Sequence, residues 1–291
     1  MSAPILVGVD GTDSSLQAVA TAVREAQLRG CGVRVIHAFI WPLMGVPLGA
    51  SPIGPVDGGL SAEGERIVAA AVEHARGVGP EVPVEGAVVT GDASPVLVAE
   101  SRSAALVVVG SRGLGAFTGL LVGSTAIHLA AHAECPVLVV RGRAEPQGPV
   151  VLGTDGSPAA EPAVAFAFNE ASLRGTRLIA VHAWTPWNAT LPPPQDPALP
   201  YAGRPGDLPQ AEERLLAEAV AGHQDRYPDV EVELRTVESG TREALIEASR
   251  EAQLLVVGAR GRGGFKGLLL GSTSQALMQH ADCPIVIVRN P

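Results

Sequence analysis

The chain has 291 residues, 46% of them hydrophobic and 18% charged, a composition that suits core-forming domains, excludes a disordered chain and leaves room for two domains. A formal net charge of −9 at pH 7 offers no basic face to neutralise phosphates, which argues against nucleic acid as a partner. Three cysteines (Cys31, Cys135 and Cys283) without a Cys-x2-Cys pair make neither a disulfide framework nor a zinc site. No apolar run nears the ~20 residues that span a bilayer. Met1 runs directly into an apolar segment with no basic n-region, so the expected compartment is the cytoplasm and no membrane partner is expected.

In chain order, residues 4–10 form an apolar run ending in Asp10, a buried strand. Residues 13–29 carry helical periodicity, closed by Gly30 as a C-cap. A second strand covers 32–39, followed by a Pro- and Gly-rich stretch over 41–60 that reads as a loop. Then come a helix (61–77), a strand (82–89), a helix (93–103) and a strand (105–109). A glycine-rich loop leads into a helix from about 123 and a last strand over 137–141. Apolar strands alternating with helices predict a parallel sheet covered on both faces. Ligands of such sheets sit beyond the carboxyl ends of the strands, where strand order switches. The ends of strand one (Asp10) and strand four (Gly110) are the candidates.

The same pattern then repeats. Gly8-Val9-Asp10-Gly11 returns as Gly153-Thr154-Asp155-Gly156, and Glu25-Ala26-Gln27-Leu28-Arg29-Gly30 as Glu170-Ala171-Ser172-Leu173-Arg174-Gly175, both 145 residues on. Gly110-Ser111-Arg112-Gly113 matches Gly258-Ala259-Arg260-Gly261, and Cys135-Pro136 matches Cys283-Pro284, 148 residues on. The chain is therefore a duplication, with domains expected over 1–143 and 148–291 and a short polar joint at Ala144–Gly148.

Each half carries Gly-x2-Gly-x9-Gly-Ser after its fourth strand: Gly110, Gly113, Gly123, Ser124 and Gly258, Gly261, Gly271, Ser272. Glycines there permit positive φ and close backbone approach to a ligand. Successive amides can converge on an anion. The following Ser124-Thr125 and Ser272-Thr273 open a helix, adding free amides, a dipole and hydroxyls. Arg112 and Arg260 place a cation in each loop. One such loop would favour a mere tight turn; two copies at the same spacing favour an anion site. Neither Gly-x4-Gly-Lys-Ser/Thr nor a fitting Gly-x-Gly-x2-Gly is present.

This pattern, with a strand-one Asp and a last strand introduced by Cys-Pro, resembles the ATP-binding branch of the universal stress protein family, twice over, in a tandem arrangement. The resemblance implies an open five-stranded parallel sheet of order 3-2-1-4-5 with helices on both faces in each domain. It places Asp10 and Asp155 against the adenosine of ATP, and Gly8 and Gly153 beside the nucleotide. Main-chain groups of Ala38 and Ala183 would hold the adenine edge. The triphosphate, with or without Mg, would lie on Gly110, Ser111, Arg112, Gly113, Leu114 and Gly115 with Gly123, Ser124 and Thr125. Its second-half counterparts are Gly258, Ala259, Arg260, Gly261, Arg262 and Gly263 with Gly271, Ser272 and Thr273. Ala259 in place of Ser111 removes one hydroxyl, and Ser239-Gly240 replaces Gly91-Asp92 away from the expected pocket. The function implied is a nucleotide-dependent stress or signalling regulator. The alternatives are a slow ATPase or nucleotidyl-transfer enzyme, and a structural dimer that binds no nucleotide, which the intact motifs oppose.

Other reactive side chains read as structural. His37 and His182, in matching places, read as satisfied histidines, and His132 and His280 sit in a last helical turn where they suit the dipole. Cys135 and Cys283 read as buried rather than redox-active. Trp41, Trp184 and Trp187 lie at or just after strand two, near where the base is expected, and Trp184 either stacks on it or packs the loop against the sheet. Ser14, Ser15 and Ser157 read as helix-start residues, and no catalytic nucleophile, paired carboxylates or metal ligands stand out. The last strands, Val137–Val140 and Ile285–Val288, are apolar on both faces, an edge that invites pairing. The two copies are expected to pair there within one chain, or in a homodimer.

Overall fold

The computed structural model describes residues 2–39, 60–111, 113, 122–143, 146–186, 207–261 and 269–290. The chain forms two compact units, one up to Arg141 and one over Gly142–Asn290.

The first unit runs β1 (Ile5–Gly8), α1 (Asp13–Arg29), β2 (Val33–Phe39), α2 (Leu60–Val78), β3 (Val84–Thr90), α3 (Ala93–Ser101), β4 (Leu106–Gly110), α4 (Ser124–His132) and β5 (Val137–Val140). Its strands pair in parallel in the order β3-β2-β1-β4-β5. The central strands are apolar on both faces because both faces are covered: Ile5, Leu6, Val7, Leu106, Val107 and Val108 are all within 1% of complete burial. Helix α1 ends as expected at Gly30 (φ 60°). The Gly30 and Cys31 amides donate to the Gln27 and Ala26 carbonyls, a Schellman closure. One turn earlier, Glu25 is buried and paired with Arg29, so the repeated Glu-x3-Arg-Gly segment is a buried ion pair followed by a left-handed stop.

The second unit repeats the plan: β6 (Val150–Gly153), α5 (Glu161–Arg174), β7 (Leu178–Trp184), α6 (Asp207–Gln224), β8 (Val232–Glu238), α7 (Thr241–Ser249), β9 (Leu254–Gly258), α8 (Ser272–His280) and β10 (Ile285–Val288). Here the parallel order is β8-β7-β6-β9-β10. A short 3-10 turn, Pro158–Ala160, precedes α5, because Pro158 presets φ and has no amide to lose at a helix start. Gly175 (φ 58°) and the Glu170–Arg174 pair close α5 as Gly30 and Glu25–Arg29 close α1. The stretch expected as a loop over 41–60 falls almost wholly outside the described residues.

Candidate functional site

In each unit the first strand delivers an Asp to the top of the sheet. Gly11 (φ 83°) and Gly156 (φ 69°) turn the chain sharply after it. Asp10 Oδ1 accepts from the Thr12 amide (3.1 Å) and hydroxyl (2.7 Å), while Thr12 caps α1 through the Ser15 amide (3.2 Å). Asp155 Oδ1 accepts from the Ser157 amide (2.9 Å). Each carboxylate is thus oriented by its own turn, and its other oxygen meets the glycine loop. A β-carbon on Gly113 would stand 2.7 Å from Asp10 Oδ2, and one on Gly261 2.9 Å from Asp155 Oδ2.

The loop glycines do not work as expected. None of Gly110, Gly113, Gly123, Gly258, Gly261 or Gly271 has positive φ. At Gly110, Gly113 and Gly261 close neighbours rather than backbone conformation leave no room for a β-carbon, Gly258 and Gly271 are tight, and Gly123 would meet nothing closer than 3.9 Å. Besides the contacts at Gly113 and Gly261, a β-carbon on Gly110 would press on Ser14, 2.9 Å from its carbonyl oxygen. Gly8 and Gly153 act in the same way, but the space they leave is filled by Leu97 and Leu245, whose Cδ1 atoms lie 2.8 and 2.7 Å from such a β-carbon.

The two ends of the long loop are tied together. The Ser111 amide donates to Val140 O (3.1 Å), and Gly123 N–H returns to Ser111 O (2.9 Å). In the second unit Ala259 N–H donates to Val288 O and Gly271 N–H to Ala259 O, both 2.8 Å. Residue 111 or 259 therefore serves through its main chain, so replacing Ser111 by Ala259 leaves the collar intact. Gly123 and Gly271 are the N-caps of α4 and α8 and bring no side chain to cap them. The first-turn amides keep the partial positive charge of a helix start. Ser274 Oγ donates to Gly258 O (2.9 Å), pinning α8 to the end of β9.

In the second unit these parts surround a cavity of about 490 Å³. Of the residues expected from sequence, Gly153, Asp155 and Ala183 line its strand side, Gly258, Arg260 and Gly261 its loop side, and Gly271, Ser272 and Thr273 its helix side. Ala259 is buried and is not on the wall. Arg262 and Gly263 lie outside the described residues, as do Arg112, Leu114, Gly115, Trp41 and Trp187 of the other expectations. In the first unit Gly8, Asp10, Ala38, Gly110, Ser111, Gly113, Gly123, Ser124 and Thr125 hold the corresponding places around the ends of β1, β2 and β4 and the start of α4.

Trp184, a candidate to stack on the base, lines the same wall, and sequence reasoning missed Thr154, His182, Thr241 and Leu245 there. Ser239-Gly240 was expected away from the pocket; the next residue, Thr241, lines it, because α7 begins where β8 ends beside β7. His182 is satisfied, as expected, by a partner that no spacing announces. Its Nδ1 donates to Thr154 O (2.9 Å), and its Nε2 lies 2.7 Å from Glu212 Oε2 on α6. Both side chains are buried. The equivalent His37 donates to Val9 O (2.8 Å) but faces Gly64, whose β-carbon would stand 3.6 Å from His37 Nε2. Burial pushes the Cys135 thiol from 9.0 up to about 12, and Cys283 is fully buried; neither is poised for redox work. His132 Nδ1 lies 3.0 Å from His128 O, within its own helix. Among the described residues there is no group of three or more His, Cys, Asp or Glu able to hold a metal ion. No described helix is long and apolar enough to cross a membrane.

The universal stress protein family model matches residues 1–141 and again 148–289. The chain belongs to the universal stress protein family. It is a tandem member, and its relatives share that length. A universal stress protein of Mycobacterium tuberculosis is 38% identical over 306 residues, covering 99% of this chain and 95% of the relative. One from Mycolicibacterium smegmatis is 38% identical over 297 residues, covering 98% and 96%. The crystal structure of a universal stress protein from Archaeoglobus fulgidus superposes over the whole of both chains with a TM-score of 0.73 at 16% identity, a likeness of fold.

Proposed function

We propose that each half binds one adenine nucleotide, ATP in the first instance, and that occupancy sets the conformation or partners of a stress-response or signalling regulator. The observation that carries this reading is the second-unit cavity. There a fixed carboxylate, a glycine collar and an uncapped helix start converge around about 490 Å³, within the ~300–1,000 Å³ range of small-molecule sites. The α8 amides, Ser272, Thr273 and Arg260 supply what a polyphosphate needs. Asp155 stands where it can accept a ribose hydroxyl. Ala183 and Trp184 offer main-chain groups and an aromatic face to a base. Mg²⁺ would enter with the triphosphate.

The cavity wall speaks for binding rather than turnover. The imidazole His182, the ready candidate for a general base, has both ring nitrogens committed, to Thr154 O and to Glu212. Pairing of the two halves through their last strands, a homodimer and a cytoplasmic location belong to the same proposal, and sedimentation mass decides the oligomer. Mass spectrometry of the freshly purified, then denatured, protein tests the ligand directly. Released ATP is expected; release of a non-adenine nucleotide alone would refute the adenine assignment.

A further inference from the structure

The two halves are not equivalent where the base would lie. At the 145- and 148-residue offsets of the repeat, the second cavity has hydroxyls at three positions where the first unit has none: Thr154 for Val9, Thr241 for Ala93 and Ser274 for Ala126. Two of these are used within the fold. Thr154 Oγ1 accepts from the Gly156 amide (3.2 Å), and Ser274 Oγ donates to Gly258 O (2.9 Å). Thr241 is the exception. It is the first residue of α7, whose N-cap is Gly240, so no side chain caps that helix start. It is half-buried and lines the cavity, and its hydroxyl forms no hydrogen bond among the described residues.

Its position follows from the topology. Strands run β8-β7-β6-β9 across the unit, and the glycine collar follows β9, so the phosphate side of the cavity is at β9. Helix α7 instead starts after β8. The Ser239 amide donates to Trp184 O (3.0 Å), tying the start of α7 to the end of β7. Leu245, one helical turn beyond Thr241 on the same face, packs on Gly153 of β6. Thr241 therefore overlooks the Ala183–Trp184 end of the cavity, opposite the collar. In the first unit the same tie exists, Gly91 N–H to Phe39 O (2.8 Å), but it leads to Ala93, which can offer a base nothing polar.

We infer that Thr241 is a specificity-determining residue of the second site, its hydroxyl accepting a hydrogen bond from the exocyclic amino group of adenine. This rests on the nucleotide reading above and adds that the two sites of one chain differ in how strictly they read the base. The contact discriminates because a ligand without the amino group leaves the partly buried hydroxyl unpaired, a deficit of about tenfold in affinity.

The test uses the full-length chain with one site blocked at a time, by Gly113→Trp or Gly261→Trp, and compares ATP with purine riboside triphosphate, which lacks the amino group. The second site is expected to prefer ATP about tenfold more strongly than the first. Thr241→Val, nearly isosteric, should lower that preference to the first site's value, Thr241→Ser should keep it, and Ala93→Thr should raise it in the first site. Equal preferences in the two wild-type sites, or a Thr241→Val site that still binds ATP with its preference unchanged, would overturn the inference while leaving nucleotide binding standing. Absence of ATP binding at both unblocked wild-type sites would overturn both.

Discussion

Replacing Gly261 by Ala, and separately Gly113 by Ala, probes the loop where the geometry is most explicit. Neither glycine has positive φ, so the added methyl meets no left-handed backbone penalty. The conflict is steric: the new carbon would stand 2.9 Å from Asp155 Oδ2 or 2.7 Å from Asp10 Oδ2. Relief requires the carboxylate to swing by about half an ångström or more, because ordinary carbon–oxygen contacts begin near 3.4 Å. That swing strains the Ser157 amide bond to Asp155 Oδ1, or the two Thr12 bonds to Asp10 Oδ1. A partial loss of this kind costs about 1 kcal/mol, a fall of roughly 2–4 °C in melting temperature. The ligand suffers more. In the nucleotide reading the methyl also crowds the backbone that the phosphates would approach, and losing one amide contact to a charged phosphate is worth roughly 1.5–3 kcal/mol. Affinity at the altered site should fall about ten- to a hundredfold, with the other site untouched. Titration calorimetry reads the affinities and circular dichroism the fold. If both variants keep two sites at wild-type affinity, the glycines serve only the turn and the site has been misread.

Other expectations follow from particular contacts. Glu212→Ala removes the buried partner of His182 and should cost about 3–5 kcal/mol in denaturant unfolding, whereas Glu212→Gln, which keeps a hydrogen bond to Nε2, should cost less than half as much; equal losses would deny the pair its role. Because burial raises the Cys135 thiol from 9.0 to about 12, the folded state keeps a proton that the unfolded state gives up. The stability this group contributes is whole below pH 9 and is lost as pH climbs toward 12. The stability difference between wild type and Cys135→Ala should therefore shrink between pH 8 and pH 10.5, and a constant difference would contradict it. Phosphate release from ATP should stay far below the ~10 per second typical of enzymes; fast release abolished by Asp10→Ala with Asp155→Ala would make the protein an ATPase.

What could be read from the sequence was what lies close together in it or recurs. The repeat located both copies of every element, Gly30 and Gly175 stopped their helices as glycine must, and the Asp and loop positions of the second half came together on one cavity. What could not be read depends on the fold. His182 and Glu212 are thirty residues apart on different elements, and the matching pair His37 and Gly64 carries no carboxylate, so comparing the copies hid the contact. Thr241 carries no signal in the sequence beyond following Ser239-Gly240, and only the tie between Ser239 and Trp184 brings the start of α7 to the cavity. Positive φ, one of the two reasons for expecting glycine in the loops, is absent from the described loop glycines, since a motif records the absence of a side chain and not whether φ or a neighbour demands it.

Titration of the full-length protein with ATP, and in parallel with GTP, bears most directly on the claim that each half holds an adenine nucleotide. About two ATP per chain are expected, with GTP clearly weaker. No heat with ATP, or equal affinity for GTP, would contradict it.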